Sequence, residues 1–299
     1  MNSTIYKFLF LNSLGFLFSL YFFVLVRFAN EKRDLNIREK FIRKINELLI
    51  ALDFSLKVKA DTEISSRDIP EYKFYTVIIL NLLEWNQQYG LDPKYTLKTI
   101  KRGLIREGEI DRKVVKEIKA AIAHFLVITL ITWGMIICSQ NIIAGMNAGM
   151  NSGIKWHMYI LLLALHGGGL IIFISLFLKL KELKLKPYQA YFELLYKNLA
   201  CADSKLTFSS TNYSYPSMVA LQHIDERLKM LMQYQQEVGV SIVDDLRELI
   251  DELWFVYHDA LESLARVLTI IKFSIIIVFY LLPYFIYLFV FFLANMKLE

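Results

Sequence analysis

The side chains in this sequence that could do chemistry are few, and the most unusual of them lie inside long apolar stretches. Two histidines fall within such stretches, and two threonines give the stretch at 120–145 a polar face. A polar group in apolar surroundings is costly to keep, so it marks a binding, ion-transfer or helix-contact role. The candidates are His124, Thr129, Thr132 and His166. An interhelical hydrogen bond explains each histidine without any chemistry.

A second group of candidates is acidic and lies near the end of the chain. Its carboxylates occur at spacings that put several of them on one helical face, with leucines and an isoleucine between them facing a core. Such a face favours docking, either within the chain or onto a partner, while a solvated surface is the simpler interpretation. The candidate partner-binding residues are Asp244, Asp245, Glu248, Asp251 and Glu252.

The sequence contains no phosphate-binding loop, HExxH, CxxC or nucleophile elbow, and its five histidines lack ligand spacing. We therefore expect no enzyme activity, no cofactor and no metal site. The basic clusters lie beside the apolar stretches, which favours lipid headgroups as counter-ions and argues against nucleic acid.

Four apolar stretches determine where these candidates lie. Each is close to or above the length of about 20 residues that spans a bilayer, and none contains Asp or Glu. They are Ile5–Phe28, Ala120–Gly145, Met158–Leu178 and Val267–Leu293. The sequence therefore predicts an all-α membrane protein with four transmembrane helices.

Lysine and arginine placement predicts the orientation of these helices, because cytoplasmic flanks are enriched in both residues. Basic residues flank residues 29–119 and 179–265, whereas the loop at 146–157 holds only Lys155. We expect both longer segments to be cytoplasmic helical domains of a bacterial inner-membrane protein, with both termini periplasmic. The predicted order is a transmembrane helix in 1–28, domain 1 in 29–119, a helix in 120–145, a periplasmic loop in 146–157, a helix in 158–178, domain 2 in 179–265, and a helix with a short tail in 266–299.

The two halves of the chain follow one plan at an offset of 149 residues. At that offset the first span falls on the third, the second falls on the fourth, and the segment 85–91 falls on 234–240. Both copies point the same way, so the prediction is a parallel internal repeat. The two domains nevertheless differ in charge, because residues 29–119 carry a net +4 and residues 179–265 a net −4.

Within the matched segments, a glycine follows each apolar-periodic helix at the position where a left-handed backbone ends a helix. These glycines are Gly90 and Gly239. Asp92 and Ser241 follow as N-caps of the next helix, with Pro93 at a first helical position. Each copy is therefore predicted to be a helix, a glycine turn and a second helix that runs toward the membrane.

These turns carry a resemblance to a known family. The segment 82–97, with Gly90-Leu91-Asp92-Pro93 at its centre, and the segment 239–247 resemble the helix–Gly–helix element of type II secretion F-domains. The final pattern Leu282-Pro283-Tyr284-Phe285-Ile286 is similar to that of the tight-adherence branch. The resemblance covers about half of the chain, and the Gly-Glu-x-x-Gly element of the family is not cleanly present.

The resemblance implies an inner-membrane assembly platform of a pilus or type II secretion-like machine. It also implies a secretion-type cytoplasmic ATPase and pilin or pseudopilin transmembrane helices as partners, with a homo- or hetero-oligomer in the membrane. The alternative is a stator-like proton-channel subunit or a small transporter of the inner membrane. That class can also combine a span, a cytoplasmic domain and a span pair, and the polar Thr129 and Thr132 keep it open.

Overall fold

A computed structural model describes residues 36–52, 69–89, 92–146, 157–203 and 219–296. Within these ranges every regular element is a helix, as the predicted all-α class requires. The elements are α1 (36–52), α2 (Tyr75–Tyr89), α3 (Lys94–Met146), α4 (His157–Asp203), α5 (Val219–Val238), α6 (Val243–Ile276), a π-helical turn (Ile277–Leu281) and α7 (Leu282–Met296). The first apolar stretch, Ile5–Phe28, and Gly90 lie outside the described residues.

Three of the described helical segments are long and apolar enough to cross a membrane, and they are Lys94–Ser139, Met158–Asp203 and Val243–Val290. The second, third and fourth predicted spans lie on these segments. The chain is therefore compatible with a multi-pass membrane protein. The helices continue well beyond the apolar runs, since α3 has 53 residues and α4 has 47.

The chain divides into two compact units. Among the described residues, the first, here the span unit, comprises 114–146, 157–181 and 263–296. The second, here the charged unit, comprises 36–52, 69–89, 92–113, 182–203 and 219–262. The sequence predicted two separate helical domains, whereas the structure brings both segments into one unit. The reason is a shared interior: Tyr196 of α4 packs against Tyr75 of α2, with ring centroids 5.6 Å apart.

In the span unit, buried residues recur every three or four positions along α3, as expected for one inward helical face. These are Ile118, Ile122, Phe125, Thr129, Thr132 and Ile136. The inward face of α4 carries Leu162, His166, Leu170, Phe173 and Phe177. An apolar cluster forms where Phe125, Phe173 and Ile275 meet.

The helix ends in the charged unit show how local sequence starts and stops each element. Gly239 has φ +70°, the left-handed conformation predicted for it, and it directly follows α5. At α3, Asp92 Oδ1 accepts a hydrogen bond from Lys94 N at 3.1 Å. Asp92, Pro93 and Ser241 each lie one position outside their predicted places. The first helical hydrogen bonds are accepted by Pro93 O and by Ile242 O.

Candidate functional site

Four of the five acidic candidates of α6 have partners within the charged unit, although Asp244, Glu248 and Asp251 remain exposed. Arg227 of α5 contacts both Glu248 and Glu252 at 3.0 Å, and Arg106 of α3 pairs with Asp251. Asp244 accepts a hydrogen bond from the Tyr95 hydroxyl at 2.9 Å. Of the five, Asp245 remains as an exposed residue with no such contact among the described residues.

The contact at Asp244 joins the N-terminal turns of α3 and α6. Arg247 donates a hydrogen bond to the Tyr95 hydroxyl at 2.9 Å, and its guanidinium lies over the Tyr95 ring. Two carboxylates, Asp244 and Asp245, lie in the first turn of α6, where the positive end of the helix dipole stabilises their negative charge. The first turn of α3 holds no acidic residue, and Asp203 of α4 takes that role by accepting hydrogen bonds from Thr96 N and Oγ1.

A buried ionic cluster in the charged unit was not predicted from the sequence. Arg38 of α1, which is almost fully buried, donates to Asp111 of α3 at 2.6 Å. Lys73, just before α2, pairs with the buried Glu107 of α3. Both acids continue the inward stripe of α3 that begins with Leu97, Ile100 and Leu104. That continuation at three- and four-residue spacing is the sequence signal that could have revealed them.

Lys73 has an unusual backbone conformation, and the pKa values of Lys73 and of its neighbour Tyr72 are shifted. Lys73 has φ +46°, which is unusual and strained for a residue other than glycine. Burial acts most strongly on its ammonium and lowers its pKa, but the Glu107 carboxylate and Tyr72 outweigh that effect, so the pKa of Lys73 is raised. Burial, assisted by Glu107, raises the pKa of Tyr72 to about 12. Glu107 Oε2 has no hydrogen-bond partner among the described residues.

Aromatic rings fill the interior beside this ionic cluster. Tyr196 is fully buried, and Trp254 Nε1 donates to its hydroxyl at 3.4 Å. Gly103 of α3 lies against both rings, and the Tyr196 hydroxyl occupies the place that a Cβ would take there. The aromatic interior therefore packs side chains of α4 and α6 against the backbone of α3 at Gly103, and it explains why the two predicted domains form one unit.

In the span unit, the structure brings together two of the four intramembrane candidates. His166 is 1% exposed, and Tyr280 of the π turn stacks on its ring at 4.5 Å while donating to its carbonyl oxygen at 2.9 Å. Thr129 is buried on α3, on whose inward face Phe125 contacts the Tyr280 ring at 5.7 Å. Neither ring nitrogen of His166 has a hydrogen-bond partner among the described residues.

The two threonines and His124 do less than the sequence suggested. Thr129 and Thr132 both donate their hydroxyl hydrogen bonds to their own helix, at Phe125 O and Ile128 O. This back-bonding satisfies a hydroxyl in apolar surroundings. His124 is exposed on α3 and does not join the buried group. The sequence missed Tyr280 and Trp133, which contact His166 instead.

One group of potential metal ligands occurs in the described part of the chain. His258, Asp259 and Glu262 of α6 place their ligand atoms within 4.8 Å of one another. His258 Nδ1 lies 3.6 Å from Glu262 Oε1, one helical turn away. The group is largely exposed and stands on a single helix, so an ordinary His–Glu contact accounts for it. No metal site is assigned to it.

The structure therefore offers two places where function could reside: the charged unit with its paired helix ends, and the neutral polar group around His166. Comparison with protein-family models, with curated proteins and with solved structures finds no match to this chain.

Proposed function

We propose that this chain is an inner-membrane assembly platform that couples a cytoplasmic secretion-type ATPase to the assembly of pilin or pseudopilin subunits. The observation that carries the proposal is the agreement of helix ends with the parallel repeat. Helix α2 ends at Tyr89 and α5 at Val238, while α3 begins at Lys94 and α6 at Val243. Both pairs are offset by 149 residues, the same separation as between Tyr95 and Asp244.

That last contact supports the repeat independently of helix boundaries. When two copies of one motif pack about a two-fold axis, residues near the axis meet their own counterparts. Tyr95 and Asp244 are counterparts at the 149-residue offset, and they are hydrogen-bonded. In this proposal the first span, Ile5–Phe28, completes the set of four spans. The two halves of the chain then form a pseudo-symmetric pair of F-domain-like motifs.

The proposed orientation places the charged unit in the cytoplasm and both termini in the periplasm. Its support is the placement of lysine and arginine beside the spans. Cysteine labelling in intact cells tests it: Lys57 and Ser210, each replaced by cysteine, should be protected, and positions 147–152 should be labelled. Labelling at position 210 from outside would contradict both the orientation and the parallel repeat.

The partners are tested by photo-crosslinking from unnatural residues in the host that carries the chain. Residues at Lys98 or Arg102, exposed on α3 in the charged unit, should capture the ATPase. Residues at Leu161 or Ile171, exposed on α4 in the span unit, should capture pilin helices. Deleting the gene should abolish the fibre or secretion. Normal assembly in the deletion strain would end the platform proposal.

The acidic candidates now separate into a docking test and an internal control. Asp245→Lys changes an exposed carboxylate and should weaken ATPase capture in a salt-sensitive way, with the fold intact. Asp251→Lys instead places a cation beside Arg106 and should lower the stability of the charged unit. Unchanged capture by the Asp245→Lys variant would remove this carboxylate from the docking surface.

A second candidate, a stator-like proton-channel subunit or small transporter, is favoured by one observation only. His166 is buried in a span segment with a tyrosine and two threonines on the facing inward surfaces. Purified chain in liposomes with a pH-sensitive dye tests it, with His166→Leu as the matched variant. Proton flux that the variant abolishes would favour the channel, and an absence of flux in both would leave the platform as the better proposal.

A further inference from the structure

The π-helical turn at Ile277–Leu281 changes which face of the last span points into the span unit. On α6, inward positions follow at three or four residues, through the partly buried Leu268 and Ile271 to the buried Ile275. The next buried residue is Tyr280, five positions later. Because a π turn holds one residue more than an α turn, it displaces the inward face by one position.

A continuous α-helix would have turned inward the residues that follow Ile275 at steps of about 3.6, which are Phe279, Leu282, Ile286 and Phe289. All four are apolar, and in the structure Leu282 is 53% exposed, Ile286 52% and Phe289 66%. In their place the buried positions are Tyr280, Tyr284 and Tyr287. The π turn thus exchanges a fully apolar inward face for one made of tyrosines.

The local sequence contains a reason for the wide turn. Pro283 has no N–H to offer the carbonyl of Phe279, and its ring crowds the preceding turn of an α-helix. In the structure Leu282 N–H bonds to Ile277 O, five residues back, which is the π pattern. Close packing on the other side depends on Gly169, because a Cβ there would lie 2.9 Å from Phe279 Cβ.

Polar groups gather where the tyrosines turn inward. Tyr280 stacks on His166, and Trp133 stands at 85° to the same imidazole with centroids 6.5 Å apart. Trp133 Nε1 and both nitrogens of His166 are buried without a hydrogen-bond partner among the described residues. A buried polar atom without a partner is unfavourable, and three in one group indicate bound molecules that satisfy them.

The group extends in one direction only. Tyr159, near the start of α4, stacks on Trp133 at 6.3 Å and contacts Tyr287 at 6.3 Å. Both Trp133 and Tyr159 are partly exposed, so the polar lining reaches from buried His166 toward the start of α4. Past Tyr280 the interior is the apolar cluster of Phe125 and Phe173, which closes the other end.

We propose that the polar region of the span unit between His166 and the start of α4 is a binding site for water or another small neutral molecule that both donates and accepts hydrogen bonds. A buried water makes about three hydrogen bonds. Because the two nitrogens of an imidazole point away from each other, each nitrogen of His166 takes a water or small molecule of its own. The site is independent of the platform proposal, since it rests on the span unit alone. Its walls are Trp133, Tyr159, His166, Tyr280, Tyr284 and Tyr287.

Cysteine accessibility tests the site in the full chain in membranes, after Cys138 and Cys201 are replaced by serine. Water-soluble methanethiosulfonates react with the thiolate, which forms only where water reaches the sulfur. Tyr284→Cys and Tyr287→Cys should therefore react at least about tenfold faster than Phe285→Cys and Phe289→Cys, which lie at matching positions on the outward face. Equal rates on the two faces, or faster reaction of the outward pair, would overturn the proposal.

A second measurement leaves the tyrosines in place. If a bound molecule satisfies His166, then His166→Met loses those hydrogen bonds, and the thermal unfolding midpoint in detergent should fall by about 2–4 °C or more. His166→Gln, which keeps a donor and an acceptor, should recover part of the loss. Leu162→Met, one turn away on the same inward face, is the control for volume. A His166→Met variant as stable as the parent, or more stable, would mean that the nitrogens bind nothing.

Discussion

The charged unit buries two ions, Arg38 and Glu107, beside neutral polar groups such as Thr96 and Asn198, whereas the buried polar side chains described in the span unit are threonines, a histidine and tyrosines. Arg38 and Glu107 are buried, and each has a partner that is about a third exposed: Asp111 is 35% exposed and Lys73 39%. His166, Tyr280 and Thr129 of the span unit carry no formal charge when His166 is neutral. A full charge is far more expensive in hydrocarbon than in a unit whose ion pairs still touch water.

The comparison also shows how each unit uses its inward faces. In α3 the same three- and four-residue stripe carries Glu107 and Asp111 in the charged unit and Thr129 and Thr132 in the span unit. The acids require cations from other elements, and the threonines need only their own backbone. We therefore expect substitutions in the ionic cluster to have the larger effects.

The largest effect is expected from breaking the Lys73–Glu107 pair. Lys73→Met leaves the buried Glu107 carboxylate without its cation and should lower the free energy of unfolding by about 2–4 kcal/mol, since breaking a buried pair is strongly unfavourable and partial exposure moderates the loss. Chemical or thermal unfolding in detergent measures it. The double variant Lys73→Met/Glu107→Leu should recover much of the loss, and a single variant that unfolds like the parent would contradict the ionic account.

The next effect tests close packing in the span unit with two adjacent glycines. Gly169→Ala would place a Cβ 2.9 Å from Phe279 Cβ and 3.3 Å from Ile275 Cγ2, and should destabilise by about 1–3 kcal/mol through overpacking. Gly168→Ala meets nothing within 4 Å and should be neutral or slightly stabilising, because alanine favours a helix. Equal unfolding midpoints for the two variants would refute the close approach at Gly169.

A smaller effect is expected at the turn between α5 and α6. Gly239 has φ +70° and open space around a Cβ, so only backbone strain opposes a substitution. Gly239→Val should cost about 1–2 kcal/mol, because a β-branched residue tolerates the left-handed region poorly. Gly239→Asn should cost less, since asparagine enters that region more readily. The two free energies of unfolding should therefore differ, and identical values would mean that the turn relaxes.

The smallest effect concerns Tyr72. Its ionisation changes the free energy of unfolding only in alkaline solution, so no change from this source is expected near neutral pH. The folded state raises the pKa of Tyr72 from its ordinary 10.0 to about 12, so its protonated form is favoured by folding. Its contribution is complete below pH 10 and is lost as pH rises through about 12. Tyr72→Phe should flatten this part of the stability profile, measured by unfolding between pH 8 and 12. A parallel profile would assign the alkaline loss to other groups such as Lys73.

Much of the candidate site was open to prediction and part of it was not. The intramembrane histidines and threonines, the acidic face of α6 and the turn at Gly239 are visible as local patterns. The partners of those groups are not, because Asp251 meets a residue 145 positions away and Thr96 meets one 107 positions away. No local pattern specifies which of several cations or carboxylates becomes the partner.

By itself, the sequence determined the described spans, the all-α class and the left-handed glycine at 239, because apolar length and backbone conformation depend on neighbours along the chain. Only the tertiary structure decided that the described residues of 29–113 and 182–262 share one unit, and that four of the five acidic candidates of α6 have partners there. It also decided that Tyr287 rather than Ile286 faces inward, since one extra residue in a turn rotates every later side chain, and packing determines where that residue is accommodated.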